Sequence, residues 1–277
     1  MKKSRILALL LALCLVTTAF AVLAGPTTED GAQVRTEGAQ GLRFISYLRN
    51  VELASCTEYG TILVPTAGVS SADEFVIGAT LGGYDVAKVP ALINYKKDAD
   101  NTYFTAVITD IDPDNYTREY SARAYAVMGE DTLYSDVTTS RDVYTVAKAA
   151  LADTSADLTA DAQAVLQKVV DYVEGYTVAV NFTKPVEDAQ VPLTIEVDGY
   201  DATISWTRTG GYAHTGKFAS GTDYTCTVTL TSTEKISPKA KISINGKTYT
   251  TTRSADGKTI SAKRTYEFKD SGYSGIY

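Results

Sequence analysis

The feature that most constrains this fold is a change of hydrophobic period within residues 103–151. Residues 103–109 read as a strand, an acidic turn follows, and residues 119–128 alternate strictly. Tyr120, Ala122, Ala124 and Ala126 fall on one face, and Ser121, Arg123, Tyr125 and Val127 on the other. Gly129-Glu130-Asp131 turns the chain back into residues 132–134. A period of two with one apolar face predicts an antiparallel sheet covered on one side. At Ser140, a good N-cap, the period becomes helical: Val143, Val146, Ala147, Ala150 and Leu151 share a face. A second helix is predicted over 160–173, where Ala162, Val165, Leu166, Val169, Val170 and Val173 form a stripe. The short polar link between the two predicts a helical hairpin, packed on the sheet or joining two bodies.

Upstream, Leu42, Phe44 and Ile45 open a first strand and residues 59–64 a second. Residues 73–88, interrupted by Gly78, Gly82 and Gly83, read as a loop with a short helix. Residues 91–95 are expected to pair with 103–109 through a polar turn at 97–101. Downstream of Tyr176 the period is two to the end. Ala202, Ile204 and Trp206 oppose Thr203, Ser205 and Thr207, and Tyr224, Cys226, Val228 and Leu230 oppose four threonines. Strands are also expected at Val178, Val180 and Phe182 and at Leu193, Ile195 and Val197. Asn245-Gly246 is a strong hairpin signal, and Asp256-Gly257 is a further turn. About seven short strands of this kind indicate a sandwich.

The N-terminus bears on compartment. Lys2, Lys3 and Arg5 precede an apolar run at 6–16 that is shorter than the ~20 residues needed to span a bilayer. Small residues follow, so residues 1–24 read as a secretory signal peptide cut after Ala21 or Ala24. Cys14 follows Leu13, not the small residue that lipidation requires. Cleavage removes three basic residues and no acidic one, moving the formal charge from −7 to −10. An acidic chain without a basic patch is a poor nucleic-acid binder. No span is expected in the mature chain, and the predicted localisation is secreted or extracellular.

The expected organisation is a disordered leader at 25–40, a β-rich module ending in two helices at 41–175, an immunoglobulin-like sandwich at 176–269 and a flexible tail at 270–277. The fold class is mainly β. Of the mature cysteines, Cys56 and Cys226 fall in different expected domains, so each domain is expected to stand on its apolar core.

Two resemblances follow from particular residues. Gly221-Thr222-Asp223-Tyr224, followed by alternating Cys226, Val228 and Leu230, resembles the tyrosine-corner strand of immunoglobulin-like and fibronectin type III sandwiches. It implies a buried phenol at Tyr224 whose hydroxyl bonds nearby backbone, with Trp206 as the core aromatic. Paired cysteines are lacking, so the domain is not of antibody type. In the first module, Gly41-Leu42-Arg43-Phe44, Tyr59-Gly60, residues 103–107, Ala122-Arg123-Ala124-Tyr125 and residues 143–147 together resemble an uncharacterised β-rich module of Gram-positive secreted and surface proteins. That resemblance implies an extracellular structural or accessory role and carries over no catalytic residue.

Little in the chain points to reaction chemistry. Asp110-x-Asp112-x-Asp114 places oxygen ligands as a calcium loop does, but Asn115 stands where such a loop needs Gly and Ser121 where it needs Glu. A simple acidic turn is the reading, with no metal and no cofactor assigned. His214, the only histidine, lies in a Gly-rich loop and is expected to be solvated there. No catalytic residue is assigned and no ligand-binding residue is identified. Tyr200, Trp206 and Tyr212 fall near one end of the expected sandwich, and exposed rings of this kind bind sugars, although the phase of Trp206 places it in the core. The expected role is a non-enzymatic structural or interaction module with an extracellular protein or polysaccharide partner. The alternative is carbohydrate binding through exposed aromatics.

Overall fold

In the computed structural model, which describes residues 24–96, 100–136 and 138–268, the alternating segments form antiparallel sheets, and the chain is mainly β. Most of the expected signal peptide (residues 1–23) and the expected tail lie outside the described residues. The chain divides into two compact units, Met1–Asp110 with Arg118–Val146, and Ile111–Thr117 with Ala147–Tyr277. The second compact unit takes up the chain from Ala147 and also includes the turn 111–117, upstream of the boundary expected at 175/176.

The first unit holds two five-stranded sheets. One comprises β1 (Gly25–Thr28), β2 (Gln33–Arg35), β3 (Gly41–Arg49), β8 (Tyr95–Lys96) and β9 (Asn101–Thr109). The other comprises β4 (Glu58–Pro65), β7 (Ala87–Pro90), β10 (Tyr120–Met128), β11 (Asp131–Tyr134) and β12 (Thr139–Arg141). A small hairpin, β5 (Thr80–Leu81) with β6 (Tyr84–Asp85), lies between β4 and β7 in the chain. Register Phe44↔Ala106 and Ser46↔Phe104 puts one apolar face on the first sheet, and Ala122↔Leu63 and Ala124↔Thr61 put one on the second. The two faces meet: Ser46 Oγ is 3.1 Å from Thr61 Oγ1, both buried, and Leu48 and Phe104 pack with Ala124 and Ala126.

Four expectations are corrected here. Residues 25–40 are not a disordered leader, because β1 pairs with β3 and the buried Thr28 accepts from Ala124 N at 2.8 Å. Thr28 is short and polar enough to bond the backbone of β10 from its place in the first sheet. The sheet carrying β10 is also covered on both faces. Ile62, Val64 and Tyr125 pack against Phe75, Leu81 and Val86 from the segment between β4 and β7. Residues 73–88 hold turns and the β5–β6 hairpin, without the expected short helix. Lastly, β8 pairs with β9 only from Tyr95, so residues 91–94 are not a strand.

The two helices form as α1 (Val143–Ala152) and α2 (Ala160–Glu174). The N-cap of α1 is Asp142, whose Oδ1 accepts from Thr145 N at 2.7 Å. Ser140 was the expected cap, but it lies in β12 and its hydroxyl is 2.7 Å from Thr66 Oγ1. Thr159 caps α2, and Lys148 Nζ lies 2.6 Å from Glu174 Oε1, tying the two arms of the hairpin. Helix α2 ends at Gly175, whose φ of 89° suits glycine, and a Cβ there would lie 2.7 Å from Lys239 Cβ.

The second unit is built on a three-stranded and a five-stranded sheet. The first has β13 (Thr177–Val180), β17 (Lys241–Ile244) and β18 (Lys247–Thr250), with β13 and β17 parallel. The second has β14 (Asp201–Arg208), β15 (Tyr212–Ala213), β16 (Tyr224–Thr231), β19 (Thr252–Arg253) and β20 (Thr259–Tyr266). Val180, Ile242 and Ile244 from the small sheet join Ile204, Trp206, Val228, Leu230 and Ile260 from the large one in a single core. The expected threonine face lies opposite that core, and Asn245-Gly246 makes the β17–β18 hairpin with φ of 46° and 80°. Residues 193–197 do not form the expected strand: only Val197 makes an isolated bridge, to Tyr200, and Leu193 is half-exposed rather than turned into the core.

Candidate functional site

The one constellation with ligand-like spacing is the acidic turn, and its geometry is set by the second unit. Asp110 takes a left-handed φ of 55°, which a short polar side chain tolerates. Asp112 then caps a single 3-10 turn, Pro113–Asn115, by accepting from Asp114 N at 3.0 Å. Pro113 suits the first position of that turn because it has no N–H to satisfy. The turn therefore aims two carboxylates the same way.

They converge on a lysine. Lys235 Nζ lies 2.7 Å from Asp112 Oδ1, 2.8 Å from Asp112 Oδ2 and 2.7 Å from Asp114 Oδ2. The Tyr172 hydroxyl donates to Asp114 Oδ1 and accepts from Arg253 Nη2 at 2.9 Å, and that nitrogen is 3.7 Å from Asp114 Oδ1. Tyr116 stands edge-on to Tyr172 with centroids 5.7 Å apart.

The ammonium of Lys235 holds both carboxyls below their ordinary range. For Asp112 the Asp114 N–H assists, and for Asp114 the Tyr172 hydroxyl does. The two carboxylates raise Lys235 in turn. Burial first, then the bond to Asp114, pushes Tyr172 up to about 12. Two anions and two cations thus neutralise each other through charge-assisted bonds. Among the described residues no group of three or more His, Cys, Asp or Glu side chains is placed to hold a metal ion. The chemistry available here is that of a closed ionic clasp on a turn.

The aromatic candidates separate. Trp206 is 2 % exposed, donates from Nε1 to Pro192 O at 2.7 Å, and packs between Phe182, Phe218 and Tyr266 with centroids 5.1–5.9 Å away. Tyr200 is half-buried, with its hydroxyl 2.9 Å from that of Tyr176. Tyr212 alone of the three is displayed, at 67 % exposure on β15, with the Arg208 guanidinium 5.9 Å from its ring centre. His214 is half-buried rather than solvated. Its Nε2 is 3.0 Å from Lys217 O and its ring centre is 4.8 Å from that of Tyr224. The carbonyl can only accept, so Nε2 carries the proton and is not available as a base.

Tyr224 has the geometry that the corner motif implies. Its ring is buried and its hydroxyl accepts from Ala219 N at 3.1 Å, five residues upstream. Cys56 and Cys226 are both free thiols, and burial pushes Cys226 up to about 11.

Sequence reasoning missed the other half of the clasp, Lys235, Arg253 and Tyr172, which come from segments far along the chain and carry no local signature. It also missed Arg123. Arg123 is 9 % exposed, and its guanidinium donates to Ser135 O at 2.8 Å, to Phe75 O at 3.1 Å and to Ala72 O, with the Tyr134 ring centre 4.9 Å from it. The arginine at the centre of an alternating strand marks the residue in the sequence, but not the layer that covers it. No family model and no curated protein matches the chain.

Proposed function

We propose that this chain is a secreted, non-enzymatic structural or interaction module, exported through its N-terminal segment and acting outside the cell. We further propose that the second unit is an immunoglobulin-like sandwich and the first a module of the Gram-positive surface type. The Tyr224–Ala219 corner supports the former. The observation that carries the functional reading is the use made of the reactive-looking groups. Asp112 and Asp114 are bonded to Lys235, His214 is engaged by a backbone carbonyl, and Trp206 fills a core. Each serves to hold the fold.

Expression of the whole chain in a Gram-positive host tests this. The protein is expected in the medium or at the cell surface, with an N-terminus at Val22 or Gly25. Retention in the cytoplasm with an intact N-terminus would overturn it.

A second reading, carbohydrate binding, now rests on Tyr212 rather than Trp206. A ring two-thirds exposed beside a guanidinium offers a stacking platform for a sugar. Saturable binding to a cell-wall polysaccharide that disappears in Tyr212→Ala would favour it over a purely structural role.

A further inference from the structure

Three long strands are left half-open because the strand along one side of each is only two residues long. They are β9 beside β8, β14 beside β15 and β20 beside β19. Such an edge offers unpaired N–H and C=O groups to any strand that can lie along it, and proteins guard it with charge or proline. The open part of β14 begins at Asp201, and that of β20 carries Lys263 and Arg264. The open part of β9 has no guard.

Strand β3 pairs with all of β9, Asn101–Thr109, whereas β8 covers only Thr102 and Tyr103 on the other side. Among the described residues no backbone group bonds to residues 104–109 on that side. The segment Phe104-Thr105-Ala106-Val107-Ile108-Thr109 holds no charge, proline or glycine. Thr105, Val107, Ile108 and Thr109 are β-branched, which favours pairing, and all four are only half-buried. The open stretch has two fixed ends. Tyr95 of β8 already occupies the place beside Tyr103, and Asp110 leaves the strand with a φ of 55°.

A second copy of the same segment fits between those ends. Laid antiparallel about a two-fold axis at Val107, it sets Val107 against Val107, Ala106 against Ile108 and Thr105 against Thr109. Opposed residues of an antiparallel pair share a face of the sheet. Ala106 and Ile108, which stand beside Phe44 and Leu42, therefore stay on the core side in both copies, and Thr105, Val107 and Thr109 on the outer side. Every opposed pair is uncharged and either aliphatic or threonine with threonine, combinations that stabilise a sheet. Asp110 of the second copy falls beside Phe104, where its left-handed turn takes the chain off the edge before it meets β8. A segment that complements itself suits two-fold assembly, the commonest closed symmetry.

We infer that the open edge of β9 is a dimerisation site, at which residues 105–109 of two copies pair antiparallel and join their five-stranded sheets into one. Five paired residues bury less than the about 800 Å² per partner of a standard interface, so the dimer is weak and reversible. Each copy is acidic while the edge is uncharged, so added salt strengthens the association.

The experiment uses residues 25–277, which contain every described element. Sedimentation is followed from micromolar to millimolar concentration for this chain, for Val107→Glu and for Thr105→Lys/Thr109→Glu. Val107 stands opposite Arg43 within its own sheet, so glutamate suits the folded chain there, whereas across the axis it brings two carboxylates together. The double variant sets the new ammonium of each copy against the new carboxylate of the other, so it keeps the dimer only in this register. The parent is expected to be half dimeric at roughly 0.1 mM, the weak end of the affinity scale. Val107→Glu should weaken association tenfold or more, and the double variant should associate at least as well as the parent. Hydrogen exchange should show alternate amides of residues 105–109 gaining protection as concentration rises. A parent that stays monomeric overturns the inference. So does a dimer that Val107→Glu leaves unchanged, or one whose added protection lies outside β9, which would assign the contact to another surface.

Discussion

Lys235 Nζ lies 2.7 Å from Asp114 Oδ2, although 121 residues of chain separate the two. The same ammonium holds Asp112, so one cation closes the turn 111–117 onto the unit that contains β13–β20.

This pairing makes the second unit sensitive to acid. Carboxyls depressed in the folded state contribute stability above their unfolded pKa, and that contribution is lost as pH falls through the folded value. Lys235 is shifted upward, so its contribution persists until strongly alkaline pH. The urea midpoint is expected to fall on acidification below about pH 4, and to fall less in Asp112→Asn/Asp114→Asn, which starts slightly lower at pH 7. The carboxylates are half-exposed, so the effect is small and shrinks further in molar salt.

Trp206, the only tryptophan, reports on the second core by its fluorescence. Trp206→Ala should lower unfolding free energy by about 3–5 kcal/mol by emptying a core site. Trp206→Phe keeps a ring but strands Pro192 O, and should cost about 1–3 kcal/mol. A Trp206→Ala protein as stable as the parent, followed by circular dichroism, would show that the site is not core.

Tyr224→Phe removes only the hydroxyl that accepts from Ala219 N. A loss of about 0.5–1.5 kcal/mol is expected in urea unfolding, with the folded spectrum unchanged. No loss would mean that the corner bond contributes nothing.

Arg123 holds the segment between β4 and β7 over its sheet by bonds to backbone carbonyls. Arg123→Met should leave the carbonyls of Phe75 and Ser135 without this donor, costing about 1–3 kcal/mol for each that stays buried. Faster proteolytic nicking within residues 66–86 should accompany it. If the methionine variant is the more stable, burying the guanidinium costs more than its bonds return.

The thiols should separate kinetically in residues 25–277. Cys56 is half-buried and should react with a thiol reagent in the native protein. Cys226 is fully buried with its pKa pushed up to about 11, so it should react only as fast as the second unit opens. Equal native rates would contradict its burial.

What the sequence determined by itself is local. The two-residue period of 119–128 and 224–231, the helical stripe at 160–173 and the Asn245-Gly246 turn each fix backbone conformation through neighbours a few positions away. They are legible for that reason, and so is the inward phase of Trp206. The tertiary structure decided what depends on distant partners. Nothing near Arg123 announces that a second layer covers its face, because Phe75, Leu81 and Val86 lie in a glycine-interrupted segment without a period. Nothing near Asp112 announces Lys235. Thr28 in a polar leader becomes strand only because β3 and the backbone of Ala124 are there to receive it. Burial and charge pairing are properties of the assembled fold, and a short polar segment acquires structure when the fold supplies its hydrogen-bond partners.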